Sequence, residues 1–187
     1  SYANSILSEI CKPKSDAIFP IIDGVVPISV VSNVKKNTGI TGVHETTFRY
    51  EGLKAHAQGK GILGFSKFTA TDIETGFVRE REIKEYDNDS FLPKHTMTAE
   101  TTGSATAVTE TENIVETVVG RSFISYPKSI VETDIDGNVT KTDCIYDKDR
   151  GYLTEKKITN DDGSYVKTIL GSYGYYSGKW MPKVSTT

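Results

Sequence analysis

Long hydrophobic runs are missing from this 187-residue chain. No apolar stretch approaches the roughly 18 residues that a membrane helix needs, so no membrane span is expected. Cysteine is scarce, with only Cys11 and Cys144. Two are too few for a disulfide framework or a zinc site. Two separate, partly buried thiols are expected; a disulfide tying the N-terminal segment to the C-terminal sheet is the other arrangement left open. An excess of one charge is also missing. Lys and Arg number 22 against 25 Asp and Glu, for a net charge of -3. The basic residues are scattered among acidic ones and form no phosphate-tracking stripe, which disfavours nucleic-acid binding. Sustained 3.6-residue periodicity is absent too. Only Tyr2, Ile6, Leu7 and Ile10 approach it, with Asn4 or Ser5 as cap, predicting at most one short helix that ends before Pro13. No leader peptide is visible, but a start at Ser1-Tyr2-Ala3 without Met reads as an internal cut, so that absence carries no information.

What is present favours strands. Ten Tyr, seven Phe and abundant Thr and Val suit pleated, half-buried surfaces. Sixteen Gly punctuate the chain at short intervals, as many hairpins require. The expected fold is all-β: an antiparallel hairpin or meander sheet over residues 17–187 as a single domain, after an N-terminal extension at 1–16. Ala17 to Ile22 and Val25 to Val34 are β-branched but interrupted by Pro20 and Pro27, which points to edges or bulges. Asn37-Thr38-Gly39 and Glu74-Thr75-Gly76 read as turns. Ile62 to Thr71 is apolar on both faces and predicts a strand covered on both sides. Phe77 to Tyr86 is charged on both faces and predicts a solvated sheet edge. Met97 to Thr111 fits either a hairpin turning at Gly103-Ser104 or a mobile loop.

The last third contains an echo. Thr133-Asp134-Ile135-Asp136-Gly137-Asn138 is repeated loosely by Thr159-Asn160-Asp161-Asp162-Gly163-Ser164. Asp-Gly between β-branched runs is a strong hairpin signal, because Gly accepts a positive φ. Hairpins are therefore expected at about 129–171.

Motifs with chemical potential reduce to structure. Gly59-Lys60-Gly61-Ile62-Leu63-Gly64 matches G-x-G-x-x-G, but a dinucleotide site needs those glycines at a strand-to-helix turn. Here a strand follows, Phe65 to Thr71, so a β-bulge or close backbone approach is the reading. Asp134, Asp136 and Asn138 alternate like a calcium loop, yet Gly137 falls at the fourth position and Ile145 at the twelfth, against the sixth-position Gly and twelfth-position Glu required. His44, His56 and His95 show no metal spacing, and no nucleophile elbow is present. No catalytic, cofactor or metal residue is assigned. Tyr173, Tyr175, Tyr176 and Trp180 cluster near the C-terminus, as a core patch or as a ligand or interface platform.

The run Phe48-Arg49-Tyr50-Glu51-Gly52, then Gln58-Gly59-Lys60-Gly61-Ile62-Leu63-Gly64-Phe65, resembles the segment Y-x-Y-x-G-x-x-x-x-x-Q-G-x-G-x-L-G-F. That segment belongs to the β-shells of Rhs/YD-repeat proteins and of the B component of insecticidal Tc toxins. Tyr50, Gly52, Gln58, Gly59, Gly61, Gly64 and Phe65 carry the resemblance. Asp134 to Asp147, followed by Gly151-Tyr152-Leu153-Thr154, is similar to a degenerate YD repeat with one extra residue before Gly151. The resemblance implies strand-turn-strand units in a hollow sheet, a secreted or cell-surface location, no enzymatic activity in the shell, and neighbouring β-repeats of a parent polypeptide as partners. Self-association through the C-terminal strands near Tyr165 to Tyr176 is a further expectation. The alternative is a free-standing extracellular β module binding a glycan or protein through the Tyr173 to Trp180 cluster.

Overall fold

The computed structural model describes residues 1–4, 9–37, 39, 42–119, 122–147, 151–176 and 179–186, with side chains of 3–4, 118–119 and 172–186 left aside. The protein is all-β and mostly antiparallel. The strands are β1 (Tyr2–Asn4), β2 (Cys11–Lys12), β3 (Ile21–Asp23), β4 (Ser29–Val31), β5 (Asn33–Asn37), β6 (Val43–His56), β7 (Gly61–Asp72), β8 (Val78–Tyr86), β9 (Pro93–Thr102), β10 (Ala105–Val119), β11 (Ser122–Thr133), β12 (Val139–Tyr146), β13 (Leu153–Thr159), β14 (Tyr165–Tyr176) and β15 (Lys179–Thr186). Contacts divide the chain into two compact units, Ser1–Thr106 and Ala107–Thr187.

In the first unit the long hairpin β6–β7 is the frame. Its outer side is lined by three short pieces: β5 pairs with the start of β6, β2 runs parallel to its middle at Tyr50 and Glu51, and β3 pairs with its end. Pro13 directly follows β2 and Pro20 directly precedes β3, each lacking the N–H that a longer ladder would use. Tyr2–Asn4, inside the stretch expected to hold a helix, is instead a strand paired with Ser29–Val31. Residues 5–8, the centre of that expectation, lie outside the described residues, as does part of the Asn37-Thr38-Gly39 turn.

The charged strand β8 is not an edge. It pairs with β7 on one side and β9 on the other. Its charges are answered across the strands: Glu80 by Lys67 at 2.7 Å, Arg79 by Glu100 at 2.7 Å, Glu82 by Lys14 at 2.8 Å and Glu85 by Lys94 at 2.7 Å. A charged pattern within one strand is thus ambiguous, because complementary neighbours turn a solvated edge into a ladder. Nor is β7 covered on both faces, for Ile62 is half exposed. Gly103-Ser104 turns a hairpin, with the Thr101 and Thr106 hydroxyls 3.0 Å apart across it.

In the second unit β10 to β15 follow one another as antiparallel neighbours. Here β14 is paired on both sides, and β15 ends the path of strands. The echo in the sequence is an echo in structure. In each copy a three-residue loop is closed by a pair of backbone bonds, Gly137 N–H to Asp134 O with Asp134 N–H to Asn138 O, and Gly163 N–H to Asn160 O with Asn160 N–H to Ser164 O. Both glycines take a positive φ, +87° and +81°. The Asp134 carboxylate accepts from the Asp136 and Asn138 backbones and from the Asn138 side chain, so the Asp-x-Asp-x-Asn pattern serves the turn itself.

Candidate functional site

The glycine motif builds the β6–β7 hairpin. Tyr50 pairs with Phe68, and its ring lies 4.9 Å from that of Phe65 and 5.4 Å from that of Phe68, with Phe48 stacked on Phe68 at 5.7 Å. The Tyr50 hydroxyl donates to Val31 O at 3.0 Å. Gln58 and Gly59 sit in the exposed loop 57–60. Lys54 pairs with Gly64 and Ala55 with Ile62, so Leu63 is an extra residue and the expected bulge is present. Gly59, Gly61 and Gly64 have φ of +93°, +89° and +105°, with open space where a Cβ would stand. The crowded glycine is Gly52: at φ +60° its Cβ would meet Ser66 Oγ at 2.4 Å and Lys14 Cδ at 3.1 Å.

Beside this hairpin the first unit holds a cavity of about 320 Å³. Lys54 on β6 and Ser66 on β7 line it, with Ile83, Lys84, Glu85 and Tyr86 on β8, Asn88 just beyond, Asp16 and Ile18 from the segment leading into β3, and Ile21 at the start of β3. Lys54 is buried, its ammonium held by Asp16 and, at 2.5 Å, by Asp23. Burial works against the charge, but the two carboxylates outweigh it, and Lys54 keeps its proton above the usual lysine range. Ser66 Oγ donates to Glu51 O at 3.3 Å. The Tyr86 hydroxyl is buried without a partner among the described residues, and burial raises its pKa.

The loop after Tyr86 is unusual. Asp87 N–H bonds Leu92 O and Phe91 N–H bonds Asp87 O, each at 2.9 Å. Two other loops close the same way. Asp72 bonds Phe77 and Gly76 at 2.9 and 3.0 Å, and Asp147 bonds Tyr152 and Gly151, both at 2.8 Å. In those two loops the left-handed position is glycine, Gly76 and Gly151, both at φ +68°. In the middle one it is Phe91, at φ +62°. A side chain there is strained by about 1–3 kcal/mol and persists only when its surroundings over-determine it. They do: Phe91 is buried, its ring is 4.2 Å from the His56 ring, and the Lys60 ammonium lies 4.1 Å from its centroid. His56 Nδ1 accepts from Lys60 N–H at 3.3 Å, while Nε2 is buried with no partner among the described residues.

The extra residue noticed before Gly151 falls at 148–150, outside the described residues, while the bulge at Thr154 has a counterpart at Lys94 beside Tyr86. The sequence reading did not foresee the matching closure at Asp87, because Phe91 stands where the other two loops have glycine. It also missed Lys54, Asp16 and Asp23, whose grouping has no local signal.

A separate cluster brings His44, Asp72 and Glu74 within 4.8 Å of one another. The His44 ring nitrogens face different carboxylates, Nε2 to Asp72 at 2.6 Å and Nδ1 to Glu74 at 3.5 Å. Glu74 also accepts the Glu45 backbone N–H. With both ring nitrogens engaged, the cluster is a clasp that fastens the Asp72 loop to β6. Cys11 and Cys144 are both free thiols. The backbones of Tyr173, Tyr175 and Tyr176 lie in β14 and that of Trp180 in β15, with Tyr175 opposite Trp180, while their side chains lie outside the described residues.

No protein-family model, no curated protein and no solved structure matches this chain.

Proposed function

We propose that this chain is a non-catalytic structural section of a β-sheet shell in an exported protein of the Rhs or Tc-toxin kind, completed by neighbouring β-repeats of its parent polypeptide. The observation that carries the reading is sparse burial. Among the described residues the buried apolar side chains are few: Cys11, Ile21, Val30, Leu53, Phe91 and Tyr126. In the second unit, Tyr126 and Thr142 are the only buried side chains among the described residues, while Ile145, Tyr165, Val166 and Ile169 are exposed. A sheet with one apolar layer normally hides it against a second layer. A shell segment receives that layer, and the partner for its last strand, from adjoining repeats.

The test is the behaviour of the chain alone. It is expected to bind a hydrophobic dye, to associate as concentration rises, and to unfold in urea with a slope below that of a fully packed 187-residue domain. A dye-silent monomer with a full-sized slope would overturn the proposal.

A further inference from the structure

We propose that the His44 clasp is a proton-operated latch: with both ring nitrogens protonated it holds the Asp72 and Glu74 carboxylates together, and with one proton lost to solvent it releases the Glu74 arm alone. The geometry of the three groups carries the inference. Nε2 lies 2.6 Å from Asp72 Oδ2, a distance at which a proton must stand between them, and it belongs to Nε2. Nδ1 lies 3.5 Å from Glu74 Oε2. A neutral imidazole has one N–H and one lone pair. Deprotonation therefore leaves Nδ1 facing a carboxylate oxygen, lone pair against lone pair, and an attraction becomes a repulsion.

The two arms are not equally free to respond. Asp72 ends β7, and its Oδ1 accepts the Thr75 N–H at 2.9 Å. Its backbone is tied to Phe77 and Gly76. Glu74 stands in the turn with its side chain 41% exposed. Both of its carboxylate oxygens accept the Glu45 N–H, at 2.9 and 3.0 Å. Glu45 is the first residue beyond the Thr46–Asp72 rung, and its carbonyl accepts the Ile73 N–H at 3.0 Å. Glu74 thus supplies, from a side chain, the acceptor that a longer β7 would have offered. When it swings away, the Glu45 N–H turns to water. The other charge facing the ring is Lys36, opposite His44 on β5 and on the same face. Lys35 and Glu45 answer each other at 3.1 Å on the other face. An ion contact this exposed moves global stability little, so the latch is read locally.

The test follows the backbone amides and the His44 ring by NMR as pH is raised from about 5 until the ring has lost its proton, across the interval in which imidazoles ordinarily change charge. The Glu45 amide is expected to shift in step with the ring. Its exchange protection, corrected for the intrinsic rise of exchange with pH, should drop about three- to tenfold, as loss of one hydrogen bond does. The Thr75 amide, bonded to the Asp72 arm, should keep its protection. An α-amino group also titrates in this interval, and that of Ser1 reaches Glu45 through Asn33. His44→Gln separates the two sources, because it removes the ring and leaves Ser1 in place. Glu74→Gln keeps an acceptor for the Glu45 N–H but removes the charge that the lone pair repels. Both variants should lose the Glu45 step. The proposal is overturned if the Glu45 amide stays fixed while the His44 ring titrates, if Thr75 loses as much protection as Glu45, or if either variant retains the step.

Discussion

Glycines that share a motif do not share a role. Gly61 and Gly64 need only the backbone freedom that a positive φ demands, for nothing stands near them. Gly52 needs that freedom and also the absence of a side chain, because Ser66 occupies the space. Gly61→Ala and Gly64→Ala are therefore expected to lose about 1–2 kcal/mol each, the left-handed penalty alone. Gly52→Ala adds overpacking of about 1–3 kcal/mol and should be the most damaging of the three. Urea unfolding of the variants checks the order; equal losses at all three sites would remove the distinction. The sequence identified all of these glycines but carried no sign that Gly52 is the crowded one. Ser66 and Lys14 meet Gly52 only after β6 and β7 have paired and the segment before β3 has folded over them.

At the scale of elements, turns were the most legible feature. Asp-Gly at 136–137 and 162–163 marked two hairpins because the physical requirement, a residue at positive φ, is met locally by glycine. The loop at Asp87 shows the converse. It has the closure of the Asp72 and Asp147 loops, yet Phe91 sits where they have glycine, and the local signal vanishes. Phe91→Gly separates the two contributions. It relieves roughly 1 kcal/mol of left-handed strain but removes a buried ring, whose truncation typically costs about 3–5 kcal/mol. A net loss of about 2 kcal/mol or more is expected by chemical denaturation, with the packing around His56 loosened. A variant as stable as the parent would mean that the ring contributes little. Strand β8 illustrates the same limit for charge: Arg79 to Glu82 resemble an edge until Lys67, Glu100 and Lys14 are placed opposite them.

For the whole molecule the decisive quantity is how little is buried, and its consequence is dependence on polar contacts. Several carboxylates titrate below their ordinary range. The Asn138 side chain and backbone hold Asp134 down, and the Ser164 hydroxyl and backbone do so for Asp162. The Thr75 backbone lowers Asp72, and the Lys54 ammonium lowers Asp16. At Asp87, burial pushes upward but the bonds from Ser90 prevail. A carboxylate with a depressed folded pKa contributes stability above its unfolded value, about 3.9, and loses it as pH falls through the folded value. Stability should thus be nearly level from pH 7 to 5 and fall below about pH 4. Urea midpoints at pH 7, 5 and 3 measure it, and a midpoint at pH 3 equal to that at pH 7 would contradict the assignment. At the alkaline end, burial and then the Glu116 carboxylate raise Tyr126 to about 12, while burial and Cys144 raise its ring neighbour Tyr146 to about 12.

The sequence by itself determined the all-β class, the hairpin positions and the bulge at the glycine motif. Each follows from period-two alternation and from backbone conformations that only certain residues adopt, properties that act over a few neighbouring positions. Tertiary structure alone decided which charged strand is interior, which glycine is crowded, and where Lys54, Ser66 and Tyr86 enclose a cavity with Ile18. Those outcomes depend on register between strands and on a segment some forty residues before Lys54 folding across them. Such pairings arise from the summed fit of many weak contacts, and no local pattern carries them.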